Sequence, residues 1–152
     1  MKKQKKDQSE PVEKMGIKRH FLADKKIVMV EDDPFLRELY NRIFERESIP
    51  LSIAEDGEEG FALIEKTVPE IVLLDVMLPG LTGIEVLSKI HDDPKLHKKV
   101  QVVMLTDLDQ MGVEERAMSL GAVGFLSKNE VSGPDLLKQV EKLFKDPLKN
   151  GL

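Results

Sequence analysis

Five positions share one trait: each stands directly after, or one or two residues beyond, a short apolar run. Glu31 and Asp32 follow Ile27-Val28-Met29-Val30, and Asp75 follows Ile71-Val72-Leu73-Leu74. Thr106 follows the run from Val100 to Leu105, and Lys128 follows the run from Ala122 to Leu126 with Ser127 between. Gathered at one edge of a sheet, they would bring together three carboxylates, a hydroxyl and an ammonium. Two carboxylates about 4 Å apart repel by roughly 4 kcal/mol at an effective dielectric of about 20, enough to keep one of them protonated near neutral pH. A cluster that stays ionised therefore needs counter-charge. Lys128 supplies one positive charge, and a divalent cation would supply the rest. Oxygen ligands without His or Cys suit Mg²⁺, Mn²⁺ or Ca²⁺ rather than zinc. So few protein ligands imply a hydrated Mg²⁺, with Mn²⁺ as a substitute, completed by a phosphate oxygen. With Thr106 as donor and Lys128 as cation, the set is shaped to receive a phosphoryl group.

These residues can meet only if the runs lie side by side. The apolar runs, Leu51-Ser52-Ile53-Ala54 included, are short and rich in β-branched residues, as expected of strands buried on both faces. Helical spacing lies between them. Phe35, Leu36, Leu39, Ile43 and Phe44 form one stripe, with Arg37, Glu38, Asn41, Arg42 and Glu45 on the other face. Further stretches carry Phe61, Leu63 and Ile64, then Ile84, Leu87 and Ile90, then Val113, Ala117 and Leu120, and last Leu136, Leu137, Val140, Leu143 and Phe144. Asp33 before Pro34 reads as a helix N-cap, and Ser132 with Asp135 as a capping box. Five alternations of strand and helix imply an α/β fold, doubly wound around a five-stranded parallel sheet. Ligands of such sheets bind beyond the carboxyl ends of the strands, where the five residues fall.

Composition narrows the function. In 152 residues, 41% hydrophobic and 34% charged, there is material for one core, and with no cysteine there is no disulfide scaffold, thiolate metal site or cysteine nucleophile. No apolar run is long enough to span a bilayer, and no secretory signal opens the chain, so a cytoplasmic protein without membrane insertion is expected. The net charge is −5, yet residues 1–26 hold nine Lys/Arg against four Asp/Glu, a local +5 that leaves −10 for the body. An acidic body argues against direct DNA binding. There is no Gly-rich phosphate loop after the first run and no G-x-S-x-G elbow. His20, His91 and His97 end no strand and take ordinary surface or packing roles.

The order and spacing of the blocks resemble the receiver domain of two-component response regulators. The likeness runs through Lys26 to Asp33, Ala54-Glu55-Asp56-Gly57-Glu58-Glu59, Pro69 to Gly80, Val103-Met104-Leu105-Thr106 and Gly121 to Lys128, within residues 25–146, about 80% of the chain. It implies the flavodoxin-like (βα)₅ receiver fold, with Asp75 as phosphoacceptor for a phosphohistidine on a sensor kinase or histidine phosphotransfer protein. Asp32 would then bind Mg²⁺ directly, Glu31 through water and Met77 through its backbone carbonyl, with Asp75 in the same shell. Thr106 would hydrogen-bond the phosphoryl group, Lys128 would pair with it, and Phe125 would be the switch aromatic that turns inward as Thr106 moves. The output surface would comprise the helix from Val113, the last strand and the last helix. Such a chain catalyses only its own phosphorylation and dephosphorylation and is otherwise no enzyme.

Departures from the family pattern carry expectations of their own. Asn129 replaces the usual proline after the lysine, so a trans Lys128–Asn129 bond is expected, with the reach of Lys128 in question. Asp107 stands where a small residue is usual and is expected to point outward. Thr82 and Gly60 also differ without touching the chemistry. Met77 and Leu108, each two residues beyond a key side chain, cannot orient an attacking water, so a long-lived phosphorylated state is expected. The domain reading is a disordered basic head at 1–24, a receiver at 25–147 and a tail at 148–152. Since little follows the last helix, output is expected through a protein target or a self-dimer. The alternative is a receiver-like interaction module that works without phosphate; a phosphoryl-transfer enzyme for small molecules ranks last.

Overall fold

A computed structural model describes residues 19–107, 111–129 and 133–145. Five strands alternate with helices: β1 Ile27–Val30, α1 Pro34–Arg46, β2 Ser52–Ala54, α2 Gly57–Thr67, β3 Ile71–Leu74, α3 Gly83–Asp92, α4 Pro94–Lys99, β4 Gln101–Thr106, α5 Val113–Ser119, β5 Gly124–Ser127 and α6 Gly133–Lys145. The strands form one sheet in the order β2-β1-β3-β4-β5, and every pair is parallel. This is the doubly wound, flavodoxin-like arrangement. Among the described residues no helix is long and apolar enough to cross a membrane.

Alternation along each strand divides the core into two layers. Val28 and Val30 of β1, Val72 and Leu74 of β3, and Val102 and Met104 of β4 pack under α2, α3 and α5. Ile27, Met29, Ile71, Leu73, Val103 and Leu105 face the opposite way, against α1 and α6. Because both faces are covered, β1 and β3 are buried at all four positions, which is why they read as unbroken apolar runs.

Local signals start the helices where they are needed. Asp33 accepts from the N–H groups of Phe35 and Leu36 ahead of Pro34, as expected. Thr82 and Glu85 complete a reciprocal capping box at α3. The anticipated box at Ser132 lies outside the described residues.

Three expectations need correction. The structured chain begins before Lys25: Phe21–Asp24 form a 3₁₀ turn whose Leu22 is fully buried with Tyr40 and Phe44 in the α1–α6 layer. The surroundings had no apolar periodicity, but one buried leucine suffices to dock a turn. Second, α4 was not anticipated, although Asp93-Pro94 repeats the signal of Asp33-Pro34, and Asp93 caps Lys95 and Leu96. Third, β5 begins at Gly124, two residues later than the apolar run suggested, and extends through Ser127. Thr106 likewise ends β4 from within rather than following it.

The buried turn generates a test. Leu22→Ala should lower unfolding free energy by about 2–4 kcal/mol, as for other buried leucines, measured by urea denaturation of the full chain. A loss below about 0.5 kcal/mol, the range of ordinary surface changes, would return the turn to a mobile head.

Candidate functional site

Register puts the chemistry in one place. Val30 pairs with Leu74 and Leu74 with Met104, so Glu31 and Asp75 are the next residues beyond a matched pair. Thr106 pairs with Ser127, and Lys128 follows at once, its N–H donating to the Thr106 carbonyl at 2.9 Å. The neighbours β1 and β3 form the switch point of the strand order, the crevice such sheets offer to ligands.

Lys128 is the hub. Its Nζ donates to Glu31 Oε1 at 2.5 Å and to Asp75 Oδ2 at 2.7 Å, with its side chain 8% exposed. The trans bond before Asn129 therefore leaves the ammonium within reach; no cis bond occurs among the described residues. The second oxygen of each acid is also engaged. Asp33 N–H donates to Glu31 Oε2 and Met77 N–H to Asp75 Oδ1, each at 3.1 Å. Burial acts to lower the Lys128 pKa, but hydrogen bonds and charge from Asp75 and Glu31 outweigh it and hold the group above its ordinary value, hence fully charged. Burial pushes Glu31 above the usual carboxylate range; the Lys128 bond, the Asp33 N–H and the Lys128 charge offset part of this, and the Asp75 charge adds to it.

One carboxylate oxygen from each of Glu31, Asp32 and Asp75 lies within 4.8 Å of the others, Glu31 and Asp75 buried and Asp32 exposed. Three carboxylates against one ammonium leave the cluster at −2. An all-oxygen donor set with that charge fits a hard divalent cation, and the exposed Asp32 leaves a side on which bound water can complete its shell. Of the other expected residues, Thr106 is buried at 1% exposure at the end of β4. Phe125, opposite Met104 in β5, is half-buried against the α2–α3–α5 layer. Asp107 is exposed, as expected, and the Met77 side chain is 61% exposed at the rim. Leu108 lies outside the described residues. His91 and His97 stack edge to face in α3 and α4, away from the cluster.

Two contributors went unread in the sequence. Arg37 Nη1 donates to the backbone carbonyls of Glu31 at 3.1 Å and Asp32 at 2.8 Å, and its Nη2 sits 3.7 Å from Glu55. The available signal was its place one turn into α1, close enough to reach back. Tyr40, also on α1, is buried; burial raises its pKa, and the charges of Lys128, Glu31, Asp107 and Asp75 all reach it. Gly83 is needed for contact: a Cβ there would sit 1.9 Å from the Asp75 carbonyl oxygen, so the start of α3 presses directly on the Asp75 loop.

The family model for the response regulator receiver domain matches residues 27–141. The chain belongs to that family. Among curated relatives, the response regulator PleD of Caulobacter vibrioides is 35% identical over 103 residues, which are 68% of this chain but 22% of that protein. The chemotaxis protein CheY of Halobacterium salinarum is 30% identical over 105 residues, 68% of this chain and 84% of CheY. The crystal structure of a CheY-like receiver domain protein from Methanospirillum hungatei superposes with a TM-score of 0.73 at 29% identity, covering 84% of this chain and 98% of that one. The receiver assignment thus rests on sequence and fold together.

The hub of this receiver can be tested through stability. Lys128→Met leaves two buried carboxylates without their cation and should cost about 3–5 kcal/mol at neutral pH. Without the lysine, burial would push Glu31 further up, so that it binds a proton more readily folded than unfolded. The deficit is full above the raised folded-state value of Glu31 and shrinks as pH falls from there towards its unfolded value of about 4. Urea titrations of both proteins across that range measure it; a deficit independent of pH would contradict the ion-pair account.

Proposed function

We propose that the protein is a phosphorylation-activated response regulator whose acceptor is Asp75. The observation that carries this reading is a buried aspartate held by a lysine whose side chain is 8% exposed, at the carboxyl edge of the sheet, beside two further acids. In the proposed step an Asp75 carboxylate oxygen attacks the phosphorus of a phosphohistidine on a sensor kinase or phosphotransfer protein. The P–O bond forms as the P–N bond breaks, and the bond electrons leave with the imidazole, which then takes up a proton.

Each residue has a part that its position supports. Asp32, Asp75 and the Met77 carbonyl would hold Mg²⁺ directly, and Glu31 through water. The bound cation supplies charge neutralisation for the incoming phosphoryl oxygens. Lys128, already charged, would pair with a phosphoryl oxygen once Asp75 carries the acyl phosphate, and Thr106 would donate to another. Movement of Thr106 would draw Phe125 inward, altering the face formed by α5, β5 and α6. A protein target or a second copy of the chain would read that face; DNA would not be contacted directly.

The decisive test is mass spectrometry after incubation with acetyl phosphate. A single phosphoryl adduct should form with Mg²⁺ or Mn²⁺, vanish without a divalent cation and be absent in Asp75→Asn. No adduct on the wild-type chain would instead favour an interaction module that works without phosphate. Lifetime is a separate matter. Met77 offers an apolar side chain beside the acceptor, so Met77→Asn, which can orient water, should hasten loss of the adduct about tenfold, a barrier change of about 1.4 kcal/mol. An unchanged decay rate would mean that Met77 does not set it.

A further inference from the structure

We infer that Arg37 is a positioning residue for the cation site, an inference that rests on the receiver reading of that site. A single guanidinium nitrogen, Nη1, donates to the carbonyls of both Glu31 and Asp32. These are consecutive peptide units whose side chains diverge in environment, Glu31 buried at 2% exposure and Asp32 exposed. The segment lies between β1 and α1; the Glu31 N–H still donates to the Ala54 carbonyl at 3.0 Å, so it is the Glu31 and Asp32 carbonyls that depend on a side chain for their partner. Asp33 N–H is bound by Glu31 and the Asp33 side chain caps α1, while Arg37 reaches back from the helix to hold the two carbonyls. Without that brace, nothing else among the described contacts holds the Asp32 carbonyl, and the exposed Asp32 side chain is free to swing away from Asp75.

The sign of the effect separates positioning from charge. A guanidinium beside a divalent cation site opposes cation binding by Coulomb repulsion. Glu55 offsets part of that charge at 3.7 Å, but its side chain is 65% exposed, so the pair is weak. If charge dominated, removing Arg37 would tighten cation binding. Positioning predicts the reverse, because groups that orient metal ligands are worth about 10–100-fold in metal affinity when removed. Arg37 bonds only to carbonyl oxygens here and leaves the lone pairs of the acids available to the cation.

The chain carries its own reporter. Tyr40 is the only tyrosine, there is no tryptophan, and the ring is buried where the charges of Lys128, Glu31 and Asp75 reach it. Its fluorescence should therefore change when Mg²⁺ binds. In a Mg²⁺ titration of the 152-residue chain, Arg37→Met should raise the dissociation constant at least about tenfold. Glu55→Gln, which removes the counter-charge but spares the carbonyl bonds, should leave it within about twofold, the scale of an exposed pair. Urea denaturation of each variant keeps fold stability apart from affinity, and calorimetry provides a second measure of binding. Unchanged or tighter binding by folded Arg37→Met would overturn the inference, as would a tenfold loss in Glu55→Gln. If the wild-type chain binds no Mg²⁺ by either method, the receiver reading of the site fails first, which is a different result.

Discussion

One ammonium joined to two buried carboxylates is the constraint on which the site depends. Taking each charge out of water costs several kcal/mol, and only good geometry with further hydrogen bonds to both oxygens of each acid recovers it. Here the condition is met: both oxygens of Glu31 and of Asp75 accept hydrogen bonds. Lys128 lies 97 residues from Glu31 and 53 from Asp75 in sequence, so the ends of β1, β3 and β5 must converge before the charges are tolerable. The same arrangement leaves the cluster short of positive charge once Asp32 is included. An excess of negative charge in a preformed oxygen cage suits a divalent cation, which in the proposed function would in turn receive a phosphoryl donor.

Parallel register converts this requirement into sequence order. A strand buried on both faces can carry no polar side chain along its length, so polarity is expelled to its ends. Since all five strands point the same way, every expelled carboxyl-end residue arrives at one edge. Glu31 and Asp75 become neighbours because Val30 and Leu74 are paired, and Lys128 arrives because Thr106 and Ser127 are paired. Gly83 lets the start of α3 press against the Asp75 backbone, so Asp75 is fixed by a helix start as well as by its own strand.

This logic explains which parts were legible in the sequence. The acids, Thr106 and Lys128 could be read because strand burial forces them to strand ends, and Asp33 because a carboxylate before proline has one common use. Arg37 was not legible as a site residue. On a helix face its charge is indistinguishable from that of Arg42, and its role appears only once the carbonyls it touches are placed. Leu22 was missed for the converse reason: a lone apolar residue in a charged stretch has no periodicity, and its burial depends on a gap between α1 and α6. The boundary of β5 slipped because Ala122 and Val123 are apolar yet precede Gly124, where the regular pairing starts. Asp93-Pro94 carried a sufficient signal for α4, but six residues offer too little stripe to recognise.

The distribution of burial also separates a stiff part from a compliant one. β1 and β3, which hold Glu31 and Asp75, are buried at all four positions, whereas β5 is buried only at Gly124 and half-buried through Phe125, Leu126 and Ser127. Elements with fewer buried contacts open and shift at lower free energy than a close-packed core. Modification of Asp75 would take a carboxylate from Lys128 and return a more negative phosphoryl group, so the lysine's bonds must be redrawn. The central strands cannot yield without voiding two core layers at once. Under the proposed function, such a rearrangement would fall most readily on the less buried β5, which follows from Lys128 back to the ring of Phe125.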